Sequence, residues 1–175
     1  SGDDDDFFHS SLFTITRRRI LWLLILVLAN GLTTKVIAMN DQILKEIVLL
    51  AAFIPLLIGT GGNVGAQSST VVIRGLSTQK LKSLGAIKAV VKEAITGALL
   101  GVLMMLVVFP FAWWQGEGPL IASAVGISLI SITTLAATTG AILPLMFDRM
   151  KLDPALMSSP FITTVTDIAG VFIYL

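Results

Sequence analysis

The sequence predicts an all-α integral membrane protein with five transmembrane helices. Its 175 residues are 55% hydrophobic and 13% charged, and the mean hydropathy of +0.91 lies far outside the range of soluble domains. Apolar runs recur along the chain, and each is long enough for the roughly 20 residues that cross a bilayer. The connections between these runs are short, so consecutive helices should lie antiparallel in one bundle.

The apolar runs follow a polar N-terminal segment, residues 1–19. Within this segment Asp3 to Asp6 form an acidic run, which we interpret as a solvated tail, and Arg17 to Arg19 form a basic run. Residues 20–175 are expected to form the transmembrane domain. Its predicted spans are about 20–39, 43–73, 87–113, 120–147 and 155–175.

Basic residues are distributed unevenly between the two ends of these spans. Cytoplasmic loops carry an excess of lysine and arginine, so the richer side is predicted to be inside. The N-terminus is therefore expected in the cytoplasm and the C-terminus outside. The predicted inner side carries Arg17, Arg18, Arg19, Arg74, Lys80, Lys82, Lys88, Lys92, Arg149 and Lys151, whereas the outer side carries Lys35 and Lys45.

The second apolar run, 43–73, is longer than a membrane span needs to be, because a regular helix of that length would exceed the ~30 Å hydrocarbon core. Pro55 and a cluster of glycines, including Gly59 and Gly62, lie inside it. We therefore expect the helix to tilt, protrude or break there. Irregular backbone at membrane depth is tolerated where it is buried in protein or lines a watery cavity, so this stretch should face the interior of the assembly.

Asp167 is the one ionisable group expected in the hydrophobic centre of the last span. A charge at bilayer depth costs about 2.5–3.5 kcal/mol on the insertion scale, so the carboxylate should face a cavity, a partner or an ion. Thr163, Thr164 and Gly170 lie three or four residues away and share its helix face. The sequence therefore predicts that Asp167 belongs to a cation pathway, although a hydrogen-bonded aspartate that helps helices pack is the alternative.

Two further groups of polar residues lie in predicted spans. Asn63, Ala66, Gln67 and Thr70 recur at helical spacing in the second span, which is typical either of a close-packing seam or of a surface that contacts a ligand. Glu93 lies about one turn inside the third span. It is interpreted either as a second oxygen ligand or as an interfacial carboxylate paired with a lysine.

The remaining composition excludes several classes of protein. The sequence has no cysteine, and its single histidine, His9, lies in the polar tail, so a metal handled here should be a hard cation bound by oxygen. A net charge of +1 gives no support for nucleic-acid binding. No nucleophile and base, zinc-ligand spacing or phosphate loop is present, so an enzyme is not predicted. An intramembrane aspartyl protease would need a second carboxylate, which a dimer could supply.

Two stretches resemble the MgtE family of magnesium transporters and channels. Asp153-Pro154-Ala155 followed by Ser158 to Gly170 resembles the last helix of that family. Gly61 to Thr70 followed by Arg74-Gly75-Leu76 resembles its second helix, and Lys92-Glu93 matches the start of its third. The resemblance extends from Arg17 to the end of the chain.

The resemblance implies a homodimer with five spans per subunit and one pore on the twofold axis, lined by the second and fifth helices. Asp167 would be presented twice at the central site, where Mg²⁺ passes with its waters. It further implies metal-site roles for Thr163, Thr70, Asn63 and Glu93. The pore-lining positions would be Gly59, Gly62, Ala66, Gln67, Thr164 and Gly170.

Ala66 departs from the family pattern, because many members carry an asparagine at this position. A polar contact to the hydrated ion is therefore missing, and we expect the ion selectivity of this chain, more than its conduction, to differ from that of those members. Members also usually carry a cytosolic N-terminal domain and paired CBS domains, which the chain does not include. Residues 1–19 would then be the end of a cytosolic connector.

The leading hypothesis is a Mg²⁺ channel or transporter of the cell membrane. A proton- or sodium-coupled exchanger and a non-transporting membrane scaffold are the alternatives.

Overall fold

The computed structural model describes residues 12–42, 48–78, 81 and 85–175, and this part of the chain is helical and contains no strand. The all-α prediction is confirmed for these residues. The acidic run, His9, Lys45, Lys80 and Lys82 lie outside them. The helices are α1 (Leu12–Met39), α2 (Val48–Ser77), α3 (Ala86–Ala112), α4 (Gly118–Arg149) and α5 (Pro154–Tyr174), and a π-helical turn at Trp113–Glu117 joins α3 to α4.

Helix α4 lies at the centre of the bundle, where it packs against α2, α3 and α5. Its side chains Leu129, Ile132 and Ala136 are fully buried. Helix α2 also packs against α5, and α1 packs against α5. The main core contains Leu57 of α2, Leu129 and Ile132 of α4 and Val171 of α5. Helices α2 and α5 are therefore held side by side against one central helix.

Glycines allow α2 and α4 to approach each other closely. A Cβ atom on Gly140 would overlap the carbonyl oxygen of Gly65 and lie 3.1 Å from its Cα atom. Nearby, the buried Ser68 hydroxyl donates a 2.8 Å hydrogen bond to the Ala137 carbonyl of α4. Small residues and interhelical hydrogen bonds of this kind are typical of helix packing in membranes.

Helix α2 is unbroken from Val48 to Ser77, so a backbone break among its proline and glycines, one of the predicted outcomes, is wrong. Pro55 lies only two turns from the helix start, and Gly61 and Gly65 pack against neighbouring helices within a continuous helical backbone. With 30 residues, α2 is about 45 Å long and extends beyond the predicted span. Of the three outcomes expected for this run, tilting and protrusion remain as predictions.

Three segments of the described chain are long and apolar enough to cross a membrane: Leu50–Ser77, Ala86–Gln115 and Gly118–Arg149. Helices α1 and α5 contain the shorter apolar stretches Leu23–Met39 and Pro160–Tyr174. A membrane protein is therefore supported, whereas the count of five spans stays a prediction.

Two tight connections fix how α3, α4 and α5 follow one another. The predicted connection 114–119 is largely helical, because Gly118 with φ of 74° reverses the chain in a single residue. At the other end of α4, the Asp153 carboxylate caps α5 by accepting a 2.8 Å hydrogen bond from the Ala155 amide, and Pro154 occupies the first turn. The start of α5 is therefore fixed close to the end of α4.

Candidate functional site

Helix α5 has a buried packing face and a polar edge beside it. Ile162, Thr166 and Gly170 are buried, and Gly170 lies 3.6 Å, measured from a Cβ built on it, from the Cδ1 atom of Ile132. Thr163 is exposed and Asp167, one turn further along, is partly buried. Asp167 therefore lies at the edge of the bundle and not within its core. Gly170, predicted to line a pore, packs against α4 instead of lying on this edge.

Helix α2 carries an exposed stripe of polar and small residues formed by Asn63, Ala66, Gln67 and Thr70. The opposite face of the same helix is buried against α4 and α5. Polar side chains on the surface of a membrane helix are unfavourable in lipid, so they face either a watery cavity or another protein surface. We call these four residues the α2 stripe.

Contacts between α2 and α5 show how the stripe is aligned with Asp167. A Cβ on Gly61 would lie 3.7 Å from the Thr166 Cβ atom, and one on Gly65 would meet the Ile162 side chain. The two helices are thus antiparallel, and Asp167 lies level with residues 59 and 60 of α2. The stripe begins about one turn from this level, at Asn63, and continues away from it towards the C-terminal end of α2.

Gly59 lies at the level of Asp167, Gly62 lies about one turn away beside Thr163, and neither glycine is tightly packed. Apart from the adjacent part of its own helix, nothing in the described chain comes within 4 Å of a Cβ built on Gly59, and a Cβ on Gly62 would only touch the Thr163 methyl group at 4.0 Å. Neither glycine is therefore required for packing within the protomer.

The hydroxyls of Thr70 on α2 and of Thr163 and Thr164 on α5 donate to their own helices. Thr70 donates to the Ala66 carbonyl at 2.8 Å, and Thr163 and Thr164 each donate to the Pro160 carbonyl at 2.9 Å. A hydroxyl that donates to the backbone still has oxygen lone pairs that accept hydrogen bonds. Such oxygens suit the water shell of a hydrated cation.

Glu93 lies elsewhere in the protomer. It is partly buried on the face of α3 that also carries Ala89, Gly97 and Gly101, and this face packs against α4. A Cβ on Gly97 would lie 2.5 Å from the Thr133 carbonyl oxygen of α4. The predicted metal ligand Glu93 is therefore not brought together with Asp167 within one protomer.

A cavity of about 490 Å³ lies beside the C-terminal half of α2 and the start of α5. It continues the α2 stripe, since Ala66 and Thr70 belong to its lining. The sequence interpretation missed Arg74, although its spacing of four residues from Thr70 and seven from Gln67 places it on the same helix face. The lining residues are Ala66, Ser69, Thr70, Ile73, Arg74, Ser77 and Ala155.

The chemistry of this surface is that of oxygen donors around a single carboxylate. Among the described residues, no group of three or more His, Cys, Asp or Glu side chains is close enough to hold a metal ion. One protomer thus offers one carboxylate, Asp167, with hydroxyl and amide groups nearby. This set is suited to a cation that keeps most of its water ligands, because such an ion needs few direct protein contacts.

Residues 54–175 match the model of the MgtE family, which is described as a divalent cation transporter. The chain is 38% identical over 157 residues to the magnesium transporter MgtE of Thermus thermophilus, covering 90% of this chain and 35% of that protein. It is 33% identical over 175 residues to the magnesium transporter MgtE of Bacillus subtilis, covering 99% of this chain and 38% of that protein. The corresponding protein of Enterococcus faecalis is 34% identical over 161 residues. The chain therefore spans little more than a third of the length of these relatives.

Proposed function

The chain belongs to the MgtE family of divalent cation transporters, and on that basis we propose that it is a membrane pore domain that conducts Mg²⁺. The observation that carries this proposal is the exposed α2 stripe beside the partly buried carboxylate of Asp167. Polar side chains within the hydrocarbon region of a membrane need water or protein around them, and a water-filled path for a cation supplies that water. The relatives are named magnesium transporters, which supports Mg²⁺ as the transported ion.

The proposed assembly is a homodimer with the pore on its twofold axis. In a single protomer, Asp167, Asn63 and Gln67 lie at the surface of the bundle and would contact lipid. Contact of a charged or amide side chain with lipid is unfavourable in free energy. A second copy facing the same surface removes these groups from lipid and places two carboxylates around one path. Gly59 and Gly62, with open space beside them, leave room there for a hydrated ion.

Two carboxylates suit Mg²⁺ because this ion loses its water ligands reluctantly and is usually held through one or two carboxylates with several waters retained. Asp167 would be the central site. The hydroxyls of Thr163 and Thr164 and the amide of Asn63 would hydrogen-bond the water shell. Thr70, Gln67 and Ala66 would contact the ion nearer the C-terminal end of α2, and Glu93 would act at a separate position.

The proposed topology has five spans, with the N-terminus in the cytoplasm and the C-terminus outside. The shorter apolar stretches of α1 and α5 complete the count with the three long segments. Residues 1–19 would be a cytosolic connector and residues 20–175 the pore domain in the cell membrane. The membrane potential would then drive Mg²⁺ inward, at about 2.3 kcal/mol per charge for each 100 mV. Cytosolic N-terminal and CBS domains, which the resemblance implies, would regulate the pore.

The proposal is tested by reconstituting the purified chain in lipid vesicles and measuring Mg²⁺ uptake with a fluorescent indicator. We expect uptake that increases with an inside-negative potential and needs no proton or sodium gradient. Uptake that requires such a gradient would identify a coupled exchanger. Folded protein without any cation flux would identify a membrane scaffold, and either result would contradict the proposed channel.

Position 66 provides a separate prediction on selectivity. The Ala66→Asn variant adds an amide to the exposed α2 stripe, where it can hydrogen-bond the water shell of a passing ion. One net hydrogen bond of about 0.5–1.5 kcal/mol corresponds to a change of about two- to tenfold. We expect a change of that size in Mg²⁺ flux relative to Ca²⁺, Mn²⁺ or Co²⁺ flux. An unchanged ranking, with total flux preserved, would show that residue 66 does not contact the ion.

A further inference from the structure

Arg74 lies on the same face of α2 as the stripe. It follows Thr70 by four residues and Gln67 by seven, and its side chain is exposed. Asp167 is level with residues 59 and 60, so Arg74 lies about 15 residues, or roughly 22 Å, further along α2. Its guanidinium is therefore separate from the central carboxylate, at the end of the surface that carries it.

The cavity of about 490 Å³ surrounds this position. Among its described lining residues Arg74 is the one that carries a charge. The others are alanine, isoleucine, serine and threonine residues. The guanidinium group stays protonated in proteins under all ordinary conditions. The end of the polar surface thus has a fixed positive charge beside a space large enough for a hydrated ion.

The backbone at Arg74 is firmly held. Its carbonyl oxygen accepts hydrogen bonds from the Thr78 amide at 3.0 Å, the Ser77 hydroxyl at 3.0 Å and the Thr78 hydroxyl at 2.8 Å. These bonds close the last turn of α2, so the side chain is attached to an ordered helix end. A merely structural role for Arg74 would be a favourable interaction with the helix dipole at this C-terminus.

We propose that Arg74 is an electrostatic barrier to divalent cations at this mouth of the pathway, which limits their entry from the Arg74 side and reduces the rate of conduction. The inference rests on the proposed function, because it requires that cations pass along the α2 stripe. Charges that line a cleft change the local concentration of an ion by about 10- to 1000-fold, and two copies of Arg74 would act on the same mouth. Their effect should be asymmetric, since cations that enter at this mouth meet the positive charge first.

The test is the Mg²⁺ current of the reconstituted chain in a planar bilayer, with Mg²⁺ on one side at a time. We expect Arg74→Gln to increase the current from the Arg74 side by about three- to tenfold at low ionic strength and to change the opposite current less. The difference should shrink at 0.15 M salt, where the screening length is about 8 Å, compared with about 30 Å at 0.01 M. Arg74→Lys, which retains the charge, should behave like the wild type.

Arg149→Gln is the matched control, because Arg149 is an exposed arginine at the end of α4 that lines a different cavity, together with Leu145 and Asp148. Its currents should remain close to those of the wild type. If Arg74→Gln and wild type give the same salt-dependent currents, or if Arg149→Gln gives the same increase as Arg74→Gln, the barrier is contradicted. An absence of current in the wild type would contradict the proposed function itself, so the two failures are distinguishable.

Discussion

Replacing Asp167 by asparagine is expected to reduce Mg²⁺ flux through the reconstituted chain to less than about one-tenth of the wild-type value. Asparagine has nearly the same shape, so the substitution removes a charge without creating a cavity. In the proposed dimer it removes both carboxylates that attract the divalent ion at the central site. Flux is measured in vesicles at matched protein content and fixed membrane potential.

The stability of the Asp167→Asn variant separates a functional carboxylate from one that helps helices pack. A charge at bilayer depth is unfavourable by about 2.5–3.5 kcal/mol, so its removal should leave the folded protein as stable as before or more stable. Asp148→Asn is the matched control, because it makes the same substitution at an exposed position at the end of α4. Wild-type flux in Asp167→Asn would remove Asp167 from the pathway. Lost flux together with lost folded protein would favour the packing role.

The helices could be predicted because apolar runs and short polar connections are local properties of the sequence. Whether α2 is broken or continuous could not be predicted, since a proline and several glycines permit either backbone. The structure decides between these outcomes by contacts with other helices. Gly65 lies against Ile162 and against the backbone of α4, so its lack of a side chain serves close packing and not a change of direction.

The candidate site could likewise be predicted in its local features but not in the contacts between helices. Asp167 and the α2 stripe could be identified because a charge and a periodic row of polar residues are conspicuous in an apolar sequence. Whether Glu93 joins them depends on which helix faces which, and α3 turns this residue towards α4. Arg74 was identified as a basic residue at a span end and as part of the stretch that resembles the second helix of the family, but it was given no role in the pathway. Its place on the same helix face as the α2 stripe became evident once α2 was known to continue to Ser77.

Introducing a methyl group at the closest backbone contact, with Gly140→Ala, is expected to destabilise the bundle severely. The new Cβ would overlap the Gly65 carbonyl oxygen and lie 3.1 Å from the Gly65 carbonyl carbon and Cα atoms. Backbone atoms of two packed helices cannot rotate away as a flexible side chain can, so α2 and α4 must separate. Overpacking of this kind costs about 1–3 kcal/mol or more, and here it also weakens the hydrogen bond from Ser68 to Ala137. Thermal unfolding of the detergent-purified protein measures the effect.

Gly31→Ala makes the same substitution at a position where, apart from the adjacent part of its own helix, nothing in the described chain lies within 4 Å of the new Cβ. Alanine is favoured over glycine in a helix by about 1 kcal/mol, so this variant should be as stable as the wild type or slightly more stable. Both changes improve helix propensity, but only one forces two helices apart, and the difference between the variants therefore isolates the packing term. Equal unfolding temperatures would mean that α2 and α4 do not meet at Gly65 and Gly140. The alignment of the α2 stripe with Asp167 would then be wrong as well, because α2 and α5 are both positioned by their packing against α4.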